Sequence, residues 1–140
     1  MISTDNAVAL EAAGLQWHPR AGDSFAIRGA DLAGEVFTIS EMVVEAHEYP
    51  TGTVLGFNGT TEWALDSVQQ EDALWLPRED QLRDLLGGTF RSLARSTDGR
   101  YQVLVEIGGQ PARVFTADDA ADAYAEALLA LVTAATSRTS

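Results

Sequence analysis

The sequence contains no cysteine and no lysine. Without cysteine the chain has no disulfide, no thiolate metal ligand, no iron–sulfur cluster and no thiol nucleophile. All nine basic residues are arginine, which excludes a Walker-type phosphate loop with its lysine, a Schiff-base lysine and a lysine general base. Composition alone therefore removes several large classes of enzyme.

Neither a long apolar run nor a signal peptide is visible in the sequence. The most apolar stretch, 123–135, is interrupted by Glu126 and is shorter than the roughly 20 residues that a membrane helix needs. Residues 1–5 form neither a basic region nor the start of an apolar leader. We therefore expect a cytoplasmic protein without a membrane partner.

The chain has 140 residues, of which 46% are hydrophobic, and a net charge of −12. This size and composition predict a single domain over 1–140, with 136–140 as a frayed tail. The charge is uneven, because 1–77 carry two arginines and twelve acidic residues, whereas 78–100 carry five arginines and four acidic residues. A negative field repels phosphate backbones, favours solubility and suits a basic protein partner.

Turn signals and apolar periodicity predict an α+β fold with short antiparallel strands, a helix, a three-stranded meander and a long C-terminal helix. Thr116 is the predicted cap of the last helix, with Asp118 and Asp119 at its positive end. Residues 62–68 fit either a strand or a helical turn. The predicted elements are a helix over 5–13, strands over 24–27, 36–39, 42–46 and 53–57, a helix over 78–86, strands over 89–95, 101–107 and 112–115, and a helix over 116–135.

No catalytic or metal-binding constellation is visible. The two histidines, His18 and His47, are far apart in sequence, and Glu45 with His47 on one strand face is too small a ligand set. No GxSxG motif positions a serine nucleophile. We expect no catalytic residues, no metal ion and no cofactor.

An acidic stripe is formed by Asp118, Asp122 and Glu126, which are spaced i, i+4, i+8 on the last predicted helix. One interpretation is a contact for an arginine-rich protein partner. The other is a solvated helix face, which is the usual role of a charge run. Both interpretations stay open at this point.

The order helix, three strands, helix over 78–135 matches the topology of the double-stranded RNA-binding domain. That fold uses basic residues at the start of its last helix, where this chain has Asp118 and Asp119. Arg91, Arg95 and Arg100 could still form a basic patch. Nucleic-acid binding is the weaker alternative, although Arg91 and Arg95 remain candidate interaction residues.

A small-ligand pocket is the other alternative, whether for binding or for catalysis. Asn58 and Thr61 lie in a predicted loop next to Trp63, and Trp75 is a second candidate wall. Ligand sites combine apolar walls with a few polar groups. Burial of Trp63 and Trp75 in a core is the competing interpretation.

Three segments carry a resemblance to known proteins: Ala13–Trp17, Gly56–Asp66 and Leu74–Leu86. Together they resemble a group of small actinobacterial proteins that are automatically labelled pilus assembly protein CpaE, and the abundance of arginine and alanine fits high-GC coding. The true CpaE family is similar to ParA/MinD ATPases and has a lysine-containing Walker loop, which this chain lacks. The resemblance therefore implies no ATPase activity and no catalytic residues. The leading hypothesis is a non-enzymatic interaction or regulatory protein of the cytosol.

Overall fold

The structure is a computed structural model that describes residues 1–28, 35–39, 44–49, 52–57, 67–69 and 72–138. All strand pairs in these ranges are antiparallel, and a long helix ends the chain, which confirms the predicted α+β class. The helices are α1 (Thr4–Ala12), α2 (Glu79–Leu86) and α3 (Ala120–Arg138). The strands are β1 (Ser24–Ile27), β2 (Val36–Thr38), β3 (Val44–Tyr49), β4 (Gly52–Phe57), β5 (Ser67–Gln69), β6 (Ala73–Leu76), β7 (Phe90–Arg95), β8 (Tyr101–Val105) and β9 (Arg113–Ala117).

The chain forms two compact units. The first, here called the helical unit, comprises Met1–Gln16 and Pro77–Ser140. The second, Trp17–Leu76, is called the aromatic unit after the rings in its core. The single domain over 1–140 stays a prediction.

The aromatic unit contains two three-stranded sheets, with strand orders β2-β1-β6 and β3-β4-β5. Phe25, at the centre of the first sheet, lies opposite Phe37 on one neighbouring strand and Trp75 on the other. These rings and Trp17 form the core together with Ile39. Cross-strand aromatic pairs of this kind are a main source of stability in small sheets.

Strand β6 is absent from the predicted elements. Ala73, Leu74 and Leu76 are buried and Trp75 is half-buried, so this strand shows no alternation between apolar and polar residues. A short apolar run before a proline also suits the approach to a helix, and the local sequence around Trp75 favours that interpretation. The pairing of this strand with β1 supplies the long-range information that the local pattern lacks.

The helical unit has one sheet, of order β7-β8-β9, and three helices. α3 packs against β8 and β9, and both α1 and α2 pack against α3. Leu82 and Leu86 of α2 are buried four residues apart, as the apolar face of an amphipathic helix requires, whereas Leu85 is 42% exposed. None of the helices in the described ranges combines the length and apolar content needed to cross a membrane.

The start of α3 corrects one detail of the prediction. Thr116 lies in β9, where its pairing with Gln102 of β8 keeps the backbone extended. Asp119 is the capping residue instead, and its Oδ1 accepts a hydrogen bond from the Ala121 N–H at 2.8 Å. Aspartate and threonine are both good caps, so the strand pairing decides where the helix begins. The helix continues to Arg138, into the segment predicted as a frayed tail.

Candidate interaction surface

Strand β7 forms one edge of the sheet in the helical unit, and its side chains are exposed. Every residue from Arg91 to Arg95 is exposed, and Leu93 retains 41% of its surface. The adjacent strand β8 is different, because Val103 and Val105 are fully buried. α3 packs on β8 and β9 and meets β7 at its first residue, where the Phe90 ring centroid lies 5.7 Å from that of Tyr124, whereas residues 91–95 stay accessible.

The backbone of β7 presents hydrogen-bonding groups along this edge. At the hairpin end of the ladder, the Ser96 N–H donates to the Arg100 carbonyl oxygen at 2.8 Å. Bonded and non-bonded pairs alternate along an antiparallel ladder, so every second residue counted back from Ser96 bonds to β8. Leu93 and Arg95 are the residues in between, and they direct their N–H and C=O groups away from β8.

The register of the sheet defines what lies on each face. One cross-strand row consists of Leu93, Val103 and Phe115. It lies on the face of the sheet that the helices cover at β8 and β9. The opposite face carries no charge at its centre, and Val114 there retains 55% of its surface. The residues of this uncharged face are Ser92, Ala94, Gln102, Leu104, Val114 and Thr116.

The three arginines of the predicted basic patch do not form one surface. The register shifts between Phe90 and Ser92, as at a β-bulge, and Arg91 pairs with Glu106 through Nε and Oε2 at 3.1 Å. Arg100 pairs with Asp118 at 3.1 Å. Two of the three guanidinium groups are therefore already neutralised by carboxylates of the chain.

Arg95 differs from both. Its guanidinium lies over the Tyr101 ring, 5.5 Å from the centroid, and its Nε makes a long 3.5 Å contact with the Gly99 carbonyl oxygen. Within the ranges that the structure describes, no carboxylate forms an ion pair with Arg95. Of the two exposed arginines on β7, only Arg95 thus lacks a carboxylate partner among the described residues, and it lies two positions from the exposed Leu93.

A tight hairpin turn fixes the end of β7. The Gly99 N–H donates to the Ser96 carbonyl oxygen at 2.9 Å, with Gly99 at a φ of +87° that favours glycine. Asp98 accepts hydrogen bonds from the Ser96 hydroxyl and from the Arg100 N–H. These bonds lower the pKa of the Asp98 carboxyl. The turn therefore holds the strand in position up to Arg95.

The predicted acidic stripe has internal contacts. Asp122 Oδ1 accepts hydrogen bonds from the Ser3 N–H at 2.7 Å and from Asn6 Nδ2 at 2.9 Å, which join α1 to α3. Asp118 pairs with Arg100, as described above. Partial burial, together with the charge of Asp122, raises the pKa of Glu126, although Arg100 acts in the opposite direction. A role for this stripe in binding a basic partner stays a prediction.

The predicted ligand pocket lies mostly outside the described residues. This applies to Asn58, Thr61 and Trp63. Trp75 is described, and its ring stacks on that of Trp17 with centroids 6.4 Å apart and an interplanar angle of 9°. Its surroundings are those of a core residue, which is the competing interpretation for this tryptophan.

The sequence does not point to Asp23 as a special residue, yet the structure buries its carboxylate. Asp23 is 2% exposed, and its Oδ2 accepts hydrogen bonds from Trp17 Nε1 at 2.9 Å and from the Arg20 N–H at 3.0 Å. The Ile39 N–H also donates to the Asp23 carbonyl oxygen. Asp23 therefore ties the loop before β1 to the ring cluster, which is a structural role. In the sequence, the Gly-Asp pair at 22–23 indicates only a turn.

No three metal-ligating side chains come together within the described ranges. Comparisons of the chain with protein-family models, curated proteins and solved structures find no significant match. Within the described residues, the β7 edge is a surface on which five successive residues, 91–95, are all exposed. The sequence points to Arg91 and Arg95 but not to Leu93 or to the edge itself. The sparse apolar content of 89–95, compared with 101–107, is the available signal for an edge strand.

Proposed function

We propose that this chain is a non-enzymatic interaction protein of the cytosol, with a regulatory role, that binds an extended segment of a partner protein along β7. The observation that carries this proposal is the exposure of every residue from Arg91 to Arg95 on an edge strand. An unpaired strand edge is a template for another strand, and proteins use it to bind extended peptides.

The backbone of β7 supports binding by strand addition. Leu93 and Arg95 together offer two N–H and two C=O groups, so a partner segment gains up to four backbone hydrogen bonds. Each such bond contributes about 1 kcal/mol net, and burial of Leu93 adds an apolar contribution. The sum suits a reversible contact rather than a permanent assembly.

Composition supports the non-enzymatic part of the proposal. The chain has no thiol, no lysine amine and only two imidazoles, which leaves few groups for covalent catalysis. Nucleic-acid binding has less support, because Arg91 and Arg100 are paired with carboxylates and α3 begins beside Asp118 and Asp119. The resemblance to actinobacterial proteins with a pilus-assembly label points to a genomic neighbourhood and not to a specific partner.

The test uses a displayed library of random ten-residue peptides selected on the intact chain. Selected peptides are then measured against two variants at one position, Leu93→Pro and Leu93→Thr. Proline removes the outward N–H while leaving the β8 ladder intact, since proline is tolerated at such edge positions. Threonine keeps the N–H and suits a strand.

We expect Leu93→Pro to weaken peptide binding at least tenfold, and Leu93→Thr to weaken it only a few-fold. Far-UV circular dichroism and the urea midpoint of each variant verify that the fold is retained. The proposal is overturned if no peptide is selected, or if selected peptides bind the proline variant as tightly as the original chain.

A further inference from the structure

We infer that the segment bound by β7 presents a carboxylate directly opposite Arg95 and an apolar side chain directly opposite Leu93. The inference rests on the proposed strand addition and specifies the chemistry of the partner. It predicts an acidic residue two positions before an apolar residue in an antiparallel segment.

Arg95 supplies the first half of this pattern. The chain has 21 acidic residues and nine arginines, yet no described carboxylate pairs with this exposed guanidinium. The guanidinium lies over the Tyr101 ring of β8 and near the Gly99 carbonyl oxygen, and Arg95 stays exposed there. An incoming carboxylate would form a charge-assisted hydrogen bond with it, and opposite charges across neighbouring strands stabilise a sheet.

Leu93 supplies the second half. It is the outermost member of the row Leu93, Val103, Phe115, and the row has no fourth member beyond the edge among the described strands. Val103 is fully buried, whereas Leu93 remains 41% exposed. An apolar side chain on an added strand would extend this row and remove Leu93 from water.

The spacing of two residues follows from the geometry of the edge. Leu93 and Arg95 share one face, because side chains alternate along a strand. Both also direct their backbone groups outward, so an antiparallel segment forms its bonded pairs at these two residues. The residues directly opposite them then lie on the same face, two positions apart.

Two other arginines of the same sheet provide a contrast. Arg91 is already paired with Glu106. Arg113, on the opposite edge strand β9, lies over the Phe115 ring at 4.8 Å and, among the described residues, likewise has no carboxylate partner. Arg113→Gln is therefore a matched control for Arg95→Gln, since each removes one positive charge from an exposed edge.

The experiment sequences the selected peptides and measures the dissociation constant of the best one. We expect enrichment of an acidic residue two positions before an apolar one. Arg95→Gln should weaken binding about threefold, the size of an exposed ion pair, and Arg113→Gln should have no effect. Arg95→Glu should weaken binding about tenfold, and a peptide with arginine in place of its acid should restore it.

The failures of the two proposals are distinguishable. If the selected peptides show no acidic preference and Arg95→Gln matches Arg113→Gln, the carboxylate inference is overturned. Continued sensitivity to Leu93→Pro in that case would still support strand addition. If Leu93→Pro has no effect, the proposed function itself fails. If the charge reversal on the peptide does not restore binding to Arg95→Glu, direct pairing of these two groups is ruled out.

Discussion

The two units stabilise three-stranded sheets by different means. In the aromatic unit, neighbouring rings contact one another at centroid distances between 5.6 and 6.4 Å, and no described helix lies there. In the helical unit, α3 packs on β8 and β9, its Ala123 and Ala127 are fully buried, and its Tyr124 ring centroid lies 5.7 Å from that of Phe90. The contact with β7 is at the first residue of that strand, and residues 91–95 beyond it are exposed.

This difference explains where an open edge arises. The rings of the aromatic unit come from all three strands of the β2-β1-β6 sheet, so each strand supplies a ring that shields the sheet from water. In the helical unit the cover comes from α3, which packs on β8 and β9 and meets β7 at Phe90. Beyond Phe90, strand β7 therefore stays exposed because one helix is narrower than three strands.

The same division supplies separate spectroscopic probes. All three tryptophans lie in 17–76, and all described helices lie in the helical unit. Tryptophan fluorescence therefore follows the aromatic unit, and far-UV circular dichroism at the helical band follows the other. Each of the substitutions below is measured with both probes during urea unfolding.

The largest loss of stability is expected from a substitution in the helical unit. Leu82 is fully buried on α2, and Leu82→Ala should reduce the free energy of unfolding by roughly 3–4 kcal/mol through a cavity. Leu85 on the same helix is 42% exposed, and Leu85→Ala should change it by less than about 0.5 kcal/mol. Circular dichroism measures the unfolding of both variants. Equal losses of stability would contradict the burial of Leu82 and the exposure of Leu85.

The next effect is expected in the aromatic unit. Asp23→Ala removes the acceptor of the Trp17 and Arg20 N–H groups and should reduce the free energy of unfolding by roughly 2–3 kcal/mol. Asp23→Asn retains a carbonyl acceptor and should cost less. The tryptophan emission should also shift in Asp23→Ala. An alanine variant as stable as the original would show that this carboxylate does not hold the loop.

The smallest expected change in stability depends on pH and concerns Glu126. Burial, with the charge of Asp122, raises the pKa of Glu126 above its ordinary 4.5, whereas Arg100 lowers it. The folded chain thus binds this proton more tightly than the unfolded chain, so stability falls as pH rises through that range. Glu126→Gln should raise the urea midpoint at pH 7, and the gain should vanish below about pH 4.

Glu79→Gln is the control for this pH effect. Glu79 lies in the first turn of α2, where a negative charge is favourable. Its replacement should therefore lower the urea midpoint slightly at pH 7. If both variants move the midpoint in the same direction, the cost assigned to ionised Glu126 is wrong.

Local sequence signals predict those elements that do not depend on a partner distant in the sequence. The amphipathic stripe of α2, the Asp98-Gly99 turn and the alternation in β8 can all be recognised in the amino-acid sequence. Strand β6, the cap at Asp119 and the buried Asp23 cannot, because each depends on a partner distant in sequence or on competition with strand pairing. The exposure of β7 escapes prediction for a related reason: the width of the helical layer is a property of the assembled unit.

The shift in register between Phe90 and Ser92 has a consequence for how this protein behaves among others. It restricts the regular part of the open edge to the few residues that end at Arg95. A short, interrupted edge is a poor template for the edge-to-edge growth that produces aggregates. The register shift therefore lowers the tendency of this exposed edge to seed a fibre.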